Sequence, residues 1–132
     1  MAQENVEIVR RSVEAMMRED WEAAVADFSP AAEGHDHDIP DSDVYIGPAG
    51  FLKWMSDWGE SWDKWSLEER EFRPAPDGRV VALHRMRATG SASGIEVDRL
   101  DGAVYTLANG AIVRIDYFND QEQALEAAGL SG

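Results

Sequence analysis

The apolar residues of this chain keep a helical spacing up to Trp62 and fall into strand-like runs from Trp65 onward, an order that few architectures accommodate. Val6, Val9, Val13, Met16 and Met17 stand three and four apart within residues 4–18. With Ile8 beside them, they form the stripe of an amphipathic helix for which Asn5 is a candidate N-cap. Asp20 is placed to cap a second, short helix reaching Phe28, with Pro30 just beyond it. Residues 31–42 are polar and rich in Asp, and read as loop with at most one short strand. Gly47-Pro48 opens a third helix, where the missing N–H of Pro48 costs nothing in the first turn. Phe51, Trp54, Met55, Trp58 and Trp62 follow down one of its faces.

Four strand-like runs come next. Residues 65–73 precede a Pro-Ala-Pro-Asp-Gly turn, and residues 79–89 end in a Gly- and Ser-rich turn. Residues 95–107 end at Ala-Asn-Gly, a hairpin signal, and residues 111–118 lead into a short helix over 121–128 stopped by Gly129. No repeat or linker interrupts the chain, so residues 1–132 are expected to form one domain. Three helices ahead of an antiparallel meander predict an α+β fold, with the helices packed on one face of a curved sheet.

Composition narrows the function. An apolar content of 44% over 132 residues is that of a globular domain with one core. No apolar run approaches the roughly 18 residues that span a bilayer. The first residues lack a signal peptide's charged start and apolar centre, so the expected location is cytoplasmic. The absence of cysteine excludes disulfides, thiol nucleophiles and Cys-based zinc sites. Twenty-six acidic against 12 basic residues give a net charge of −14, which repels nucleic acid and anionic membranes. That charge is read as a solubility feature.

Three stretches carry a family resemblance. ENVEIVRRSVEAMMREDWEAAVADFSP resembles the opening helical pair of SnoaL-like proteins of the nuclear transport factor 2-like superfamily. YIGPAGFLKWMSDW resembles their third helix, and VYTLANGAIVRIDYFNDQEQALEAAGL is similar to their final hairpin and C-terminal helix. The resemblance implies a cone: a strongly bent, mainly antiparallel sheet wrapped around three N-terminal helices, with a short C-terminal helix and a cavity at the wide end. Polyketide cyclases, ketosteroid isomerase, limonene epoxide hydrolase and non-catalytic binding modules share that fold, so the reaction has to be argued from the cavity's residues.

Strand alternation supplies those residues. Along 79–89, Arg85 and Arg87 claim the convex face with Val81 and Leu83, which turns His84 and Met86 inward. On the next run Leu100, Gly102, Val104 and Thr106 are expected to face inward, and Arg99, Asp101 and Tyr105 outward. The expected ligand site is a mostly apolar cavity walled by Met16, Trp54, Trp58, Met86, Leu100 and Val104, with Asn119 at its rim. Trp54, Trp58 and Trp62 read first of all as a core-facing stripe, with walls for a flat apolar ligand as the other reading.

His84 is the leading candidate for chemistry, because an imidazole exchanges protons near neutrality. Its alternative is a core or subunit-contact histidine. The run His35-Asp36-His37-Asp38 invites a metal reading, but adjacent loop residues do not supply three convergent ligands, so no metal and no cofactor are expected. His35 or Asp36 is instead expected at the cavity mouth.

Carried over by resemblance, Ser12 stands near the place of the isomerase's oxyanion tyrosine, Gly102 at that of its donor acid, and His35 or Asp36 near its base. The positions of the epoxide hydrolase's charged residues read His84, Met86 and Asn119. Neither activity is expected. The sequence therefore favours a domain that binds a small hydrophobic molecule, with His84 as the proton carrier of a cofactor-independent isomerase, cyclase or hydratase. Non-catalytic binding and a dimeric scaffold are the alternatives. A homodimer is expected through the convex sheet face, centred on Val81, Leu83 and Tyr105.

Overall fold

The computed structural model describes residues 2–37, 39 and 43–130. The chain runs α1 (Ala2–Met17), α2 (Trp21–Ala24), β1 (Phe28–Asp36), β2 (Tyr45–Ile46), α3 (Gly47–Gly59), β3 (Trp62–Ala75), β4 (Arg79–Gly90), β5 (Glu96–Ala108), β6 (Ala111–Phe118) and α4 (Gln121–Ala127). A single 3₁₀ turn, Pro76–Gly78, joins β3 to β4. The strands form one mixed sheet in the order β2-β1-β6-β5-β4-β3. Every neighbouring pair is antiparallel except β1 and β6, which run parallel. Register shifts interrupt the β1–β6, β3–β4 and β5–β6 ladders, and irregularities of this kind bend a sheet. The result is the α+β cone implied by the resemblance, with α1 to α3 in the concavity.

Several elements differ from the sequence expectations. Asn5 lies inside α1 rather than capping it. Asp20 does cap α2, accepting a bond from the Ala23 N–H at 3.3 Å, but the helix stops at Ala24 and Phe28 already starts a strand. The polar stretch 31–36 belongs to β1, because pairing with β6 satisfies its backbone whatever its side chains are. The rest of the expected loop lies partly outside the described residues, at positions 38 and 40–42. Trp62 leaves the helical stripe and begins β3, while its ring stays 6.0 Å from that of Trp58. The Asn-Gly turn forms as its chemistry demands, Asn109 at φ 52° and Gly110 at φ 79°.

Two apolar clusters lie on opposite faces of the sheet. The larger, inside the cone, joins Val9, Val13 and Met16 of α1, Phe51 and Trp54 of α3, and Val80, Ala82, Ala103, Tyr105 and Ile115 of the sheet. The smaller, on the convex face, places Ala124, Leu125 and Ala128 against Val81, Leu83 and Val104. Gly102 makes that contact possible, since a Cβ there would meet the Ala124 Cβ at 2.6 Å. Arg79 ties down the end of α4, donating to the carbonyls of Ala127 and Ala128 at 2.9 and 3.0 Å.

Two expectations are corrected here. The inward face of β5 is the opposite of the one expected: Asp101, Ala103 and Tyr105 face into the cone, because they sit opposite His84, Ala82 and Val80 and cross-strand partners share a face. The apolar centre expected for a dimer contact is likewise missing from the convex surface. Val81 and Leu83 are covered by α4, and Tyr105 belongs to the interior.

Candidate functional site

The cavity inside the cone is built by one row of the sheet and one face of two helices. His84 of β4, Ala103 and Tyr105 of β5, Ile115 and Tyr117 of β6 and Asp36 of β1 supply its floor. Trp65 and Leu67 of β3, Met16 of α1 and Phe51, Trp54, Met55 and Trp58 of α3 close over it. The space, open on one side, is about 40 Å³. Trp58 and Trp65 meet edge to face at 4.8 Å and 86°, so two walls stand perpendicular. Trp54 is backed by Tyr45, whose ring stacks on it at 5.3 Å.

The polar groups are few and each has a distinct environment. Asp36 is 6% exposed and accepts a hydrogen bond from the Trp54 indole Nε1 at 3.1 Å. Gly34, two residues before it on the same face, lets that indole lie directly on β1. His84 is 2% exposed, and its Nδ1 finds no hydrogen-bond partner among the described residues. Burial pushes its pKa down to about 4, so the imidazole is neutral at physiological pH. Burial also raises the pKa of the Tyr105 and Tyr117 phenols, and both keep their protons. Tyr117 donates to Asp101, a fully buried carboxylate that also takes the Arg99 Nε–H at 2.6 Å. Beside the cavity, an ion pair and a phenol are thus committed to one another.

A family model described as a SnoaL-like domain matches residues 9–115. The chain belongs to that family. Among solved structures, this SnoaL-like domain is similar to a nuclear transport factor 2-like protein of Burkholderia thailandensis E264, at 25% identity with a TM-score of 0.79, over 92% of this chain and 96% of that one. It is also similar to a nuclear transport factor 2-like protein of Burkholderia pseudomallei K96243, at 20% identity and a TM-score of 0.75, over 95% and 97% of the two chains. A third similar structure is TerC co-crystallised with polyporic acid, at 19% identity and a TM-score of 0.74, over 95% and 97%. Curated proteins contain no sequence match to the chain.

The SnoaL-like domain brings some of the anticipated residues together and disperses others. His84, Asp36, Met16, Trp54 and Trp58 line one cavity. Met86 is fully buried on the same strand but is not part of the cavity wall. Leu100 and Asn119 are on the outside, on an open groove beside Arg73 and the start of α4, and Val104 packs under α4. For Leu100 and Val104 the departure follows from the inverted face of β5. His35 turns away from the cavity and bonds Glu33 at 2.9 Å, while His37 reaches Asp116 at 2.8 Å and stacks on Phe118 at 4.5 Å. The alternation of β1 separates the run: Asp36 faces in and His35 faces out. Among the described residues, no three metal-ligating side chains converge, and no helix is long and apolar enough to cross a membrane.

The positions carried over from the isomerase are otherwise engaged. Ser12 is buried and donates to the Ala24 carbonyl at 2.7 Å, which ties α1 to α2. Any side chain at Gly102 would point at α4, away from the cavity. Asp36 is the one that lines the cavity. Sequence reasoning missed Tyr105, Tyr117, Ala103 and Trp65. The signal available for Tyr105 and Ala103 was the partnering of β5 with β4, and for Tyr117 its pairing with Ala103.

Proposed function

We propose that this SnoaL-like domain binds a compact, largely apolar small molecule in the cone and exchanges a proton with it through His84, in a cofactor-independent isomerisation, cyclisation or hydration. The observation that carries the reading is the buried, unpartnered Nδ1 of His84 on the wall of an aromatic cavity. Leaving such an atom unbonded costs about 1–3 kcal/mol, a cost that a ligand's polar atom would remove. A neutral imidazole can both accept and donate, as a general base or acid requires. Asp36 is the second group able to take a proton, held in place by Trp54. TerC's complex with polyporic acid is consistent with a small organic occupant of such a cone.

Binding without turnover is the second reading. It is favoured by the engagement of Ser12 with Ala24 and of Asp101 with Arg99 and Tyr117, which leaves few groups for chemistry. One experiment addresses both. A panel of compact neutral apolar molecules is titrated into ¹⁵N-labelled protein, observing the His84 ring nitrogens and the Trp54 indole N–H. Ligands that bind in the cone shift both signals, and His84→Leu then abolishes any turnover of those that react. If no ligand moves either signal, a neutral apolar occupant of the cavity is ruled out. Turnover that survives His84→Leu would leave binding standing and remove the proton carrier. Self-association through the outer sheet face, where exposed Leu100 stands near the Arg85–Asp98 pair, is a further part of the proposal. A monomer throughout the micromolar range in sedimentation velocity would count against it.

A further inference from the structure

We propose that the ligand carries an organic cation: a quaternary or protonated tertiary ammonium head seated among Trp54, Trp58, Trp65 and Tyr105, beside the Asp36 carboxylate. The inference rests on the reading of the cavity as a ligand site and names the chemistry of its occupant.

Six of the lining residues are aromatic: Phe51, Trp54, Trp58, Trp65, Tyr105 and Tyr117. A neutral apolar ligand would be served equally well by aliphatic walls. Ring faces add a specific attraction for positive charge, strongest for tryptophan, and the perpendicular rings of Trp58 and Trp65 form two sides of a box. Tyr45 stacked behind Trp54 fixes the orientation of a third wall. Asp36 puts a carboxylate into that box, and no Lys or Arg lines the cavity among the described residues. Beside the Trp54 N–H that Asp36 already accepts, an ammonium head adds the attraction of an opposite charge, which a neutral ligand does not. His84 opposes nothing, being uncharged in this environment.

Two features of scale agree. A cavity of about 40 Å³ suits the few heavy atoms of a trimethylammonium head better than it suits a polycycle. A net charge of −14 surrounds the cone with a negative potential that draws cations toward it and repels anions.

The test compares choline with its neutral isostere 3,3-dimethylbutan-1-ol, by calorimetry and tryptophan fluorescence on the intact chain in 150 mM salt. That salt screens the general surface attraction. Choline is expected to bind at least about tenfold more tightly than the alcohol. Asp36→Asn should narrow that ratio to about threefold or less, and Trp58→Leu should weaken choline by about tenfold. Equal or tighter binding of the alcohol overturns the cation preference and leaves the cavity reading intact. Binding of neither overturns it too, and the cavity reading is then decided separately by the neutral apolar panel. The choline-to-alcohol ratio in the unaltered protein stands on its own should either variant fail to fold.

Discussion

His84 makes the folded state sensitive to acid in a predictable window. Its pKa is about 4 in the fold, against about 6.5 in an unfolded chain. Between those values the unfolded state binds more protons, so the contribution is fully present above pH 6.5 and is lost as pH falls toward 4. The shift corresponds to a loss on the order of 3 kcal/mol across that range. Asp57, bonded by Lys53, and Asp98, bonded by Arg85, are held below the ordinary carboxylate range, so what they add is lost only in stronger acid. We expect His84→Leu to flatten the stability profile between pH 6.5 and 4 while leaving stability at pH 7.5 unchanged or slightly improved. Denaturant unfolding across a pH series reads this directly. His84 was legible in the sequence because Arg85 and Arg87 flank it and cannot share its face. Asp101 was not, because a charge was taken to mean exposure. Its burial depends on Arg99, two residues away, and on Tyr117 from another strand, a partnership that no local pattern displays.

At the level of elements, the regular helices and the last hairpin were readable because their signals are local. The face of β5 was not, for two physical reasons. First, the convex side of β4 and β5 is covered by α4, so residues 80–84 and 101–105 are buried on both faces and alternation loses its contrast. Second, the Asn109-Gly110 hairpin pairs Leu107 with Ile112, but the next pair is Thr106 with Arg114, leaving Val113 as the extra residue of a bulge. Counting back from the turn therefore puts the wrong residues of β6 opposite Tyr105. The strand β1 was hidden for a third reason, its polar sequence, yet it holds one wall of the cavity in place. Its Gly34 gives a prediction: a Cβ there would lie 2.5 Å from the Trp54 ring, so Gly34→Ala must displace the indole. Overpacking of this kind costs about 1–3 kcal/mol. The variant is expected to lose that stability, lose the Trp54–Asp36 hydrogen bond and alter ligand affinity together. The indole N–H resonance of Trp54 reports the bond, and an unmoved resonance would show that Trp54 does not lie on β1.

For the whole molecule, charge is the dominant property. The surface carries numerous Arg–carboxylate pairs, such as Arg85–Asp98 and Arg114–Asp116, each worth little when exposed. Against them stands the self-repulsion of a net −14, which acts on the compact state and is screened by salt. The repulsion outweighs the pairs, so raising sodium chloride from 10 to 300 mM (about 30 Å to 6 Å in screening length) is expected to stabilise the fold. A gain of about 1 kcal/mol corresponds to roughly 4 °C in the melting temperature for a chain of this size. A melting temperature that falls over that range would mean that the ion pairs dominate.

The parallel contact between β1 and β6 also bears on how the protein comes into being. His37 and Asp116, bonded across that seam, lie 79 positions apart. While the chain is being synthesised, β1 emerges long before the strand it must lie against. The antiparallel neighbours β3 to β6 can zip together turn by turn, each at small entropic cost, but β1 has to wait and then close a loop that spans most of the chain. Until it does, the wall bearing Gly34 and Asp36 is absent and α3 lacks the strand it mainly packs against, whereas α1 can already lie on β3 and β4. That order of closure is expected to make the pocket one of the last parts of the molecule to be finished, so that a chain lacking β6 should not bind ligand.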